Sequence, residues 1–333
     1  MSYADRLWVV TGAAGFLGNT LVRELLGRGQ KVRALVHESE PHPALAELDC
    51  EIVPVDVTDP ASLTDAFNAP DDTHVIVIHC AGVVSIAGRV SQAVRAVNVG
   101  GTRNVIVACE RARVSRLVYI SSVHAIPEPD PPRTIHECDD PAGYDPAVVT
   151  GEYAKTKAEA TALVLASTQL DRVVVQPSGM IGPYDFGDSH LTRLIRDAAG
   201  GQLTAVVAGG YDFVDVRDVA RAVIEAALKA PAGRTYLLTG HYTTVADVAK
   251  DVAGLGRRSR RFRILPTWFA KASAPFAELY YRIRQTSPLY TAYSLHTLHA
   301  PSEFSHARAT TELGYTPRPL SETLADTVAW LKL

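Results

Sequence analysis

The 333-residue sequence predicts an α/β fold, a doubly wound parallel sheet with a smaller C-terminal lobe. Three observations point there. Short β-branched runs alternate with longer segments of helical period, a glycine-rich turn follows the first run, and the alternation loosens after about residue 183. A chain that is 47% hydrophobic and 21% charged has material for a sizeable core. Its formal net charge of -3 gives no general attraction for nucleic acid, so any bound anion must be gripped by a local site.

The strands are expected at "RLWVVTG" (6–12), "KVRALV" (31–36), "EIVPVD" (51–56), "HVIVIHCAG" (74–82), "RLVYISS" (116–122) and "DRVVVQPSG" (171–179). Helices are expected near 16–28, 60–67, 88–112 and 150–169. Parallel strands covered on both faces read as continuous apolar runs, as these do. Beyond 183, Gly/Pro breaks precede a helix near 215–229 and a strand "RTYLLTG" (234–240). Cys50, Cys80, Cys109 and Cys138 contain no CxxC pair and suit neither a zinc cage nor a disulfide framework, which points to a reducing cytoplasm. No metal site, secretion leader or membrane span is expected.

In "VVTGAAGFLGNTLVREL", Gly12, Gly15 and Gly18 follow an apolar strand and open an amphipathic helix. Glycine permits the tight turn and close backbone approach, while the helix N-terminus offers free N–H groups to a diphosphate. The turn residues Gly12, Gly15, Phe16, Leu17 and Gly18 are therefore expected to bind a dinucleotide. This divides the chain into a dinucleotide-binding unit over 1–182, with 213–240 returning to extend it, and a substrate lobe over 183–212 and 241–333. At the second strand's tip, "RALVHESE" places His37 where an acid would select NAD, with Glu38 following. The balance tips to NADP over NAD. Asp56, with Val57 beside it, either accepts from the adenine amino group or serves as a helix cap or turn residue.

"TGEYAKTKAEA" (150–160) sets Tyr153 and Lys157 four residues apart on one helix face, where a phenol and an ammonium share a small volume. A tyrosine titrates near ~10, and about three units of depression, supplied by Lys157 and an oxidised nicotinamide, would let it exchange protons at neutral pH.

Together with "HCAG" (79–82), "NVGGTRN" (98–104), "YISS" (119–122), "QPSGMIGP" (176–183) and "FVDVRDVA" (213–220), these motifs resemble the extended short-chain dehydrogenase/reductases, the NAD-dependent epimerase/dehydratase family. The resemblance runs over most of the chain and implies a Rossmann-type sheet. It also implies a catalytic set of Ser122, Tyr153 and Lys157, with Ser121 as competitor for Ser122. Tyr153 would donate a proton to a substrate carbonyl oxygen that Ser122 also hydrogen-bonds, and Lys157 would hold the nicotinamide ribose. By the same resemblance Ala81 and Gly82 face the ribose and diphosphate, and Asn98 lies near a kink in the helix unless it is merely a helix-internal hydrogen-bonding residue. The turn after Pro177, with Met180, lies beside the nicotinamide amide. Subunit pairing through the helices near 88–112 and 150–169, giving a homodimer, is a further implication.

Sugar-nucleotide members of the family carry an arginine before the late "DF", whereas "AGGYDFVDVRDVA" has Tyr211. That loses a bidentate anion clamp and favours the dihydroflavonol-reductase and hydroxysteroid-dehydrogenase side, acting on an alcohol/carbonyl pair of a mostly apolar small molecule. An NAD-retaining sugar-nucleotide epimerase or dehydratase is the alternative, and a redox sensor without turnover a third. Val83, His124, Tyr184, Tyr211 and Phe213 neighbour the motifs and are the candidate substrate contacts, each equally readable as core packing. Six prolines between 127 and 146 predict a semi-rigid rim over the site. The arginine run at 257–263 reads as a solvated loop, the apolar 265–283 segment as a lid or packing helix, and His296 with His299 as too few for a metal.

Overall fold

The computed structural model describes residues 6–37, 42–85, 91–256, 262–268, 292–300 and 303–333. Glu38, the 257–261 stretch and 269–291 lie outside the described residues, so the expectations for the arginine run and the apolar segment are not addressed.

Every predicted strand is present in one seven-stranded parallel sheet. Its members are β1 (Arg6–Thr11), β2 (Lys31–Val36), β3 (Glu51–Pro54), β4 (His74–His79), β5 (Arg116–Ile120) and β6 (Arg172–Pro177). After β7 (Gly179–Ile181), β8 (Ala205–Val207) and β9 (Gly210–Asp215) comes β10 (Thr235–Leu238), which returns to pair with β6. The order β10-β6-β5-β4-β1-β2-β3 reverses direction at β1, between β4 and β2. In such sheets ligands bind outside the carboxyl ends of the strands at this reversal. Strand residues alternate between two cores: Trp8, Val10, Val118 and Ile120 enter one, while Val9, Leu117 and Tyr119 enter the other.

The first core is closed by α1 (Phe16–Gly27), whose Leu17, Leu21 and Leu25 are buried. The second face carries a composite helix in place of the single one expected at 88–112. It consists of α2 (Gln92–Arg95), a π-helical turn (Ala96–Gly101) and α3 (Thr102–Arg111). Next to it lies α4 (Glu152–Ala166). The helix expected at 60–67 is instead a string of turns. Asp59 Oδ1 accepts from Ala61 N, and Ser62 Oγ donates to the Asp56 and Asp59 carbonyls. Those short polar side chains compete with the helical ladder, although Leu63, Ala66 and Phe67 still reach the core.

The smaller lobe contains α5 (His190–Ala199), β11 (His241–Thr244), α7 (Val245–Leu255), β12 (Arg263–Leu265) and α8 (Ala292–Thr297), with its own core around Ile195, Phe213, Val248 and Leu324. On the first core, α6 (Val216–Lys229) packs beside α1, capped by Asp215. Two last helices, α9 (Ala307–Leu313) and α10 (Leu320–Trp330), tie back through Arg318, which bonds Asp218 at 2.7 Å. The proline-rich segment is stitched to the C-terminal part by an Ile135–Phe304 bridge and by His296 Nε2 against Glu128 Oε1 at 2.9 Å. No described helix is long and apolar enough to cross a membrane.

Candidate active site

The glycine turn joins β1 to α1 with Gly12 at φ +63, a left-handed conformation. A Cβ on Gly12 would meet the Ala81 backbone at 2.8 Å, and one on Gly18 would fall 2.1 Å from the Gly12 carbonyl oxygen. At the N-cap of α1, Gly15 brings no side-chain cap, and no acid occupies the first turn. The positive end of the dipole is thus left for an external anion, and the bare cradle fits a dinucleotide diphosphate. Phe16 and Leu17 begin the helix, Leu17 buried in the core and Phe16 against it.

Tyr153 and Lys157 project from the buried face of α4, 8% and 6% exposed. Burial pushes Tyr153 up to about 12, and a hydrogen bond with Ser122 pulls it the other way. Lys157 falls to about 8, again through burial, with Cys80 opposing. Its Nζ donates to the Ile120 carbonyl at 2.9 Å and lies 5.1 Å from the Tyr119 ring centre. The Lys157 ammonium is committed to the carbonyl at the end of β5, and burial is the largest influence on the phenol.

The adjacent serines part company. Ser121 Oγ lies 2.6 Å from Thr161 Oγ1, which donates to the Lys157 carbonyl, so Ser121 is absorbed in fastening α4 to the sheet. Ser122 is the one brought to Tyr153; its Oγ also accepts from the His124 amide at 3.2 Å.

Asn98 sits on the π-helical turn, buried, with its side chain closing on the loop after β4. Oδ1 accepts from Val83 N at 2.8 Å, and Nδ2 donates to the Val83 carbonyl and to Thr156 Oγ1, both at 3.0 Å. Thr156 in turn donates to the Tyr153 carbonyl at 2.7 Å. A Cβ on Gly82 would stand 3.4 Å from both Asn98 Oδ1 and Lys157 Nζ. Ala81 and Gly82 therefore lie beside Lys157 at the strand ends.

Other predicted residues scatter. Val83 is 41% exposed at the loop, and His124 lies beside Ser122 with burial lowering its pKa. Tyr211 stacks edge-on against Phe213, with its Oη 3.4 Å from Thr297 Oγ1. Phe213 is 1% exposed within the small lobe's core, so it packs and does not line a pocket. Tyr184 lies under the Arg23 guanidinium and against Trp330, contacts that place its ring over α1 and α10. Asp56 Oδ1 accepts from both the backbone and hydroxyl of Thr58 at 2.8 Å, the turn role. Val57 packs against Gly101, His37 is exposed at the tip of β2, Pro177 ends β6 in a buried position, and Met180 rests partly buried on the first core. Among the described residues no cluster of metal-ligating side chains occurs.

Four polar residues were missed from the sequence: Thr11, His79, Thr102 and Tyr119 form a buried cluster beneath this loop. A histidine ending the apolar run "HVIVIH" was the available signal, since a buried imidazole must find partners.

Residues 8–238 match the family model described as "NAD dependent epimerase/dehydratase family". The chain is 32% identical to sterol demethylase protein B of Methylococcus capsulatus over 97% of this chain and 98% of that one. It is 28% identical to a 3 beta-hydroxysteroid dehydrogenase/Delta 5-->4-isomerase of Mycobacterium tuberculosis, over 93% and 85% respectively. The crystal structure of gox2253 superposes with a TM-score of 0.81 at 28% identity, covering 98% of each chain. With an uncapped glycine turn at the sheet's reversal point and the family's motifs around it, the chain belongs to the NAD-dependent epimerase/dehydratase family and is a nicotinamide-dependent oxidoreductase of the extended short-chain dehydrogenase/reductase type.

Proposed function

We propose that this enzyme interconverts a secondary alcohol and a ketone on an apolar polycyclic molecule of the sterol class, with Ser122, Tyr153 and Lys157 as its catalytic residues. The observation that carries the reading is Tyr153 itself: a buried phenol hydrogen-bonded to Ser122, on the same helix face as Lys157 and beside the Gly82 loop. The sterol and steroid chemistry named for its relatives supports the substrate class. So does Tyr211, since a half-apolar ring occupies the place of a diphosphate clamp.

The bound nicotinamide supplies or accepts the hydride. Tyr153, held up near 12, carries its proton at neutral pH and gives it to the substrate oxygen during reduction. Ser122 Oγ donates to that same oxygen as charge builds on it. Lys157, fixed by Ile120, would hold the cofactor ribose, and its positive charge near the phenol favours the phenolate that is left after reduction and that takes the alcohol's proton in the reverse direction. Cofactor choice falls to the tip of β2, where the exposed His37 stands in place of an Asp that would select NAD, with Glu38 next in the sequence; the lean is to NADP. Pairing of two copies through α3 and α4 is the assembly we favour, with Val107 of α3 left exposed at 38%.

Separate NADH and NADPH titrations followed by a panel of hydroxysterols and ketosteroids test the reading. Tyr153→Phe should lose roughly 100-fold or more in kcat with little change in cofactor affinity. Wild-type turnover in that variant, or turnover of nucleotide sugars without net cofactor consumption, would overturn it.

A further inference from the structure

We propose that His79 is a positioning residue for the cofactor side of the site, holding the Ala81–Val83 loop through a buried hydrogen-bond chain that runs from the Ala81 amide to the Asn98 carbonyl. The inference rests on the reading of that loop as cofactor-facing.

His79 ends β4 and is 0% exposed. Its Nδ1 lies 2.7 Å from Thr11 Oγ1, and its Nε2 lies 3.1 Å from Thr102 Oγ1. Placing the Thr102 hydroxyl hydrogen on the Asn98 carbonyl, a group that can only accept, sets the other directions. Thr102 donates its only hydroxyl hydrogen to the Asn98 carbonyl at 2.7 Å, so His79 must be the donor at Nε2. A neutral ring with hydrogen on Nε2 has a bare Nδ1, which takes the Thr11 hydroxyl hydrogen. Thr11 Oγ1 still has a lone pair for the Ala81 amide, at 3.1 Å. Only one tautomer satisfies all five groups.

The chain grips the loop from below while Asn98 grips it from above, at Val83 N and Val83 O. Asn98 is the shared end: its carbonyl closes the His79 chain, and its side chain continues through Thr156 to the Tyr153 carbonyl. The loop carrying Ala81 and Gly82 and the helix carrying Tyr153 and Lys157 are thus set by one connected series of bonds. Tyr119, whose ring centre is 5.7 Å from that of His79, fills the space between the imidazole and the Lys157 ammonium. Burial and the Lys157 charge both push the imidazole down, to about 3, which keeps it in the uncharged form the chain requires.

Fluorescence titration of NADH and NADPH against wild type, His79→Leu, His79→Asn and Tyr153→Phe tests the inference. His79→Leu keeps apolar volume but strands the Thr11 hydroxyl, and whichever dinucleotide wild type prefers should bind it about tenfold more weakly. His79→Asn retains an acceptor at the Nδ1 position and should recover most of that affinity. Equal affinity in a folded His79→Leu protein, or a lowered melting temperature as its sole change, overturns the positioning role. Nitrogen-15 NMR of the wild type supplies a reading that does not depend on variants folding. One imidazole, lost in His79→Asn, should show hydrogen on Nε2, a bare Nδ1 and no titration between about pH 5 and 9. A titrating ring or the opposite tautomer sinks the proposal. Tyr153→Phe separates the cases: normal turnover there removes the catalytic reading, whereas a dead Tyr153→Phe beside a normally binding His79→Leu removes only this inference.

Discussion

The Lys157 ammonium donates to the Ile120 carbonyl oxygen at 2.9 Å, two residues before Ser122. That bond fixes the direction of a cation that burial alone would expel. Desolvation lowers its pKa from 10.5 to about 8, so the folded chain carries a destabilising charge at neutral pH.

Lys157→Met is accordingly expected to stabilise the protein at pH 7, by no more than about 3 kcal/mol, while weakening cofactor binding. Between pH 8 and 10.5 the unfolded chain binds a proton that the folded chain has shed, so wild-type stability rises across that window. The variant's advantage should therefore shrink by pH 10. Urea denaturation of both proteins at the two pH values measures this, and an undiminished advantage at pH 10 contradicts it.

His79 imposes an acid limit. Its folded value near 3 lies below the unfolded 6.5, so its contribution is complete above pH 6.5 and is lost as pH falls toward 3, at about 1.4 kcal/mol per unit. Stability measured at pH 7, 6 and 5 should fall more steeply in wild type than in His79→Asn, and parallel curves would show that the imidazole does not resist protonation.

The two serines should separate activity from stability. Ser122→Ala is expected to lower kcat by roughly 100-fold with a melting temperature close to wild type. Ser121→Ala removes the bond to Thr161 and should cost about 1 kcal/mol while retaining most activity. Steady-state kinetics beside thermal melts decide it; the reverse pattern would reassign the catalytic hydroxyl.

Gly18→Ala tests the cradle. The new methyl would fall 2.1 Å from the Gly12 carbonyl oxygen, a backbone atom that moves only if the whole turn moves. Dinucleotide affinity should drop at least about tenfold even where the fold survives, as isothermal titration would report. Unchanged affinity would place the diphosphate elsewhere.

Much of this was legible in the sequence. The inner strands of the main sheet announced themselves as apolar runs, because a strand buried on both faces has little polar choice, while the exposed edge strand β3 was marked by its β-branched residues. The glycine turn was equally plain, since its spacing answers to steric demands on Gly12 and Gly18. Harder to read were features set by distant partners. Nothing local distinguishes Ser121 from Ser122 until Thr161 arrives from α4. Tyr184 looked like a pocket residue from its place after a strand, yet Arg23 and Trp330 claim its ring. The 60–67 segment had helical spacing, but its Asp and Ser side chains bonded the backbone first.

The wide turn at Ala96–Gly101 has a bearing on how this gene can tolerate length changes. Deleting a single codon there would let α2 and α3 fuse into a regular helix, a change that local hydrogen bonding would welcome. The flanking helices would keep their facing, since the wide turn is what absorbs the extra residue, and the change would fall on the turn itself. Asn98 would then face away from Val83 and Thr156, leaving a better helix and an unanchored loop.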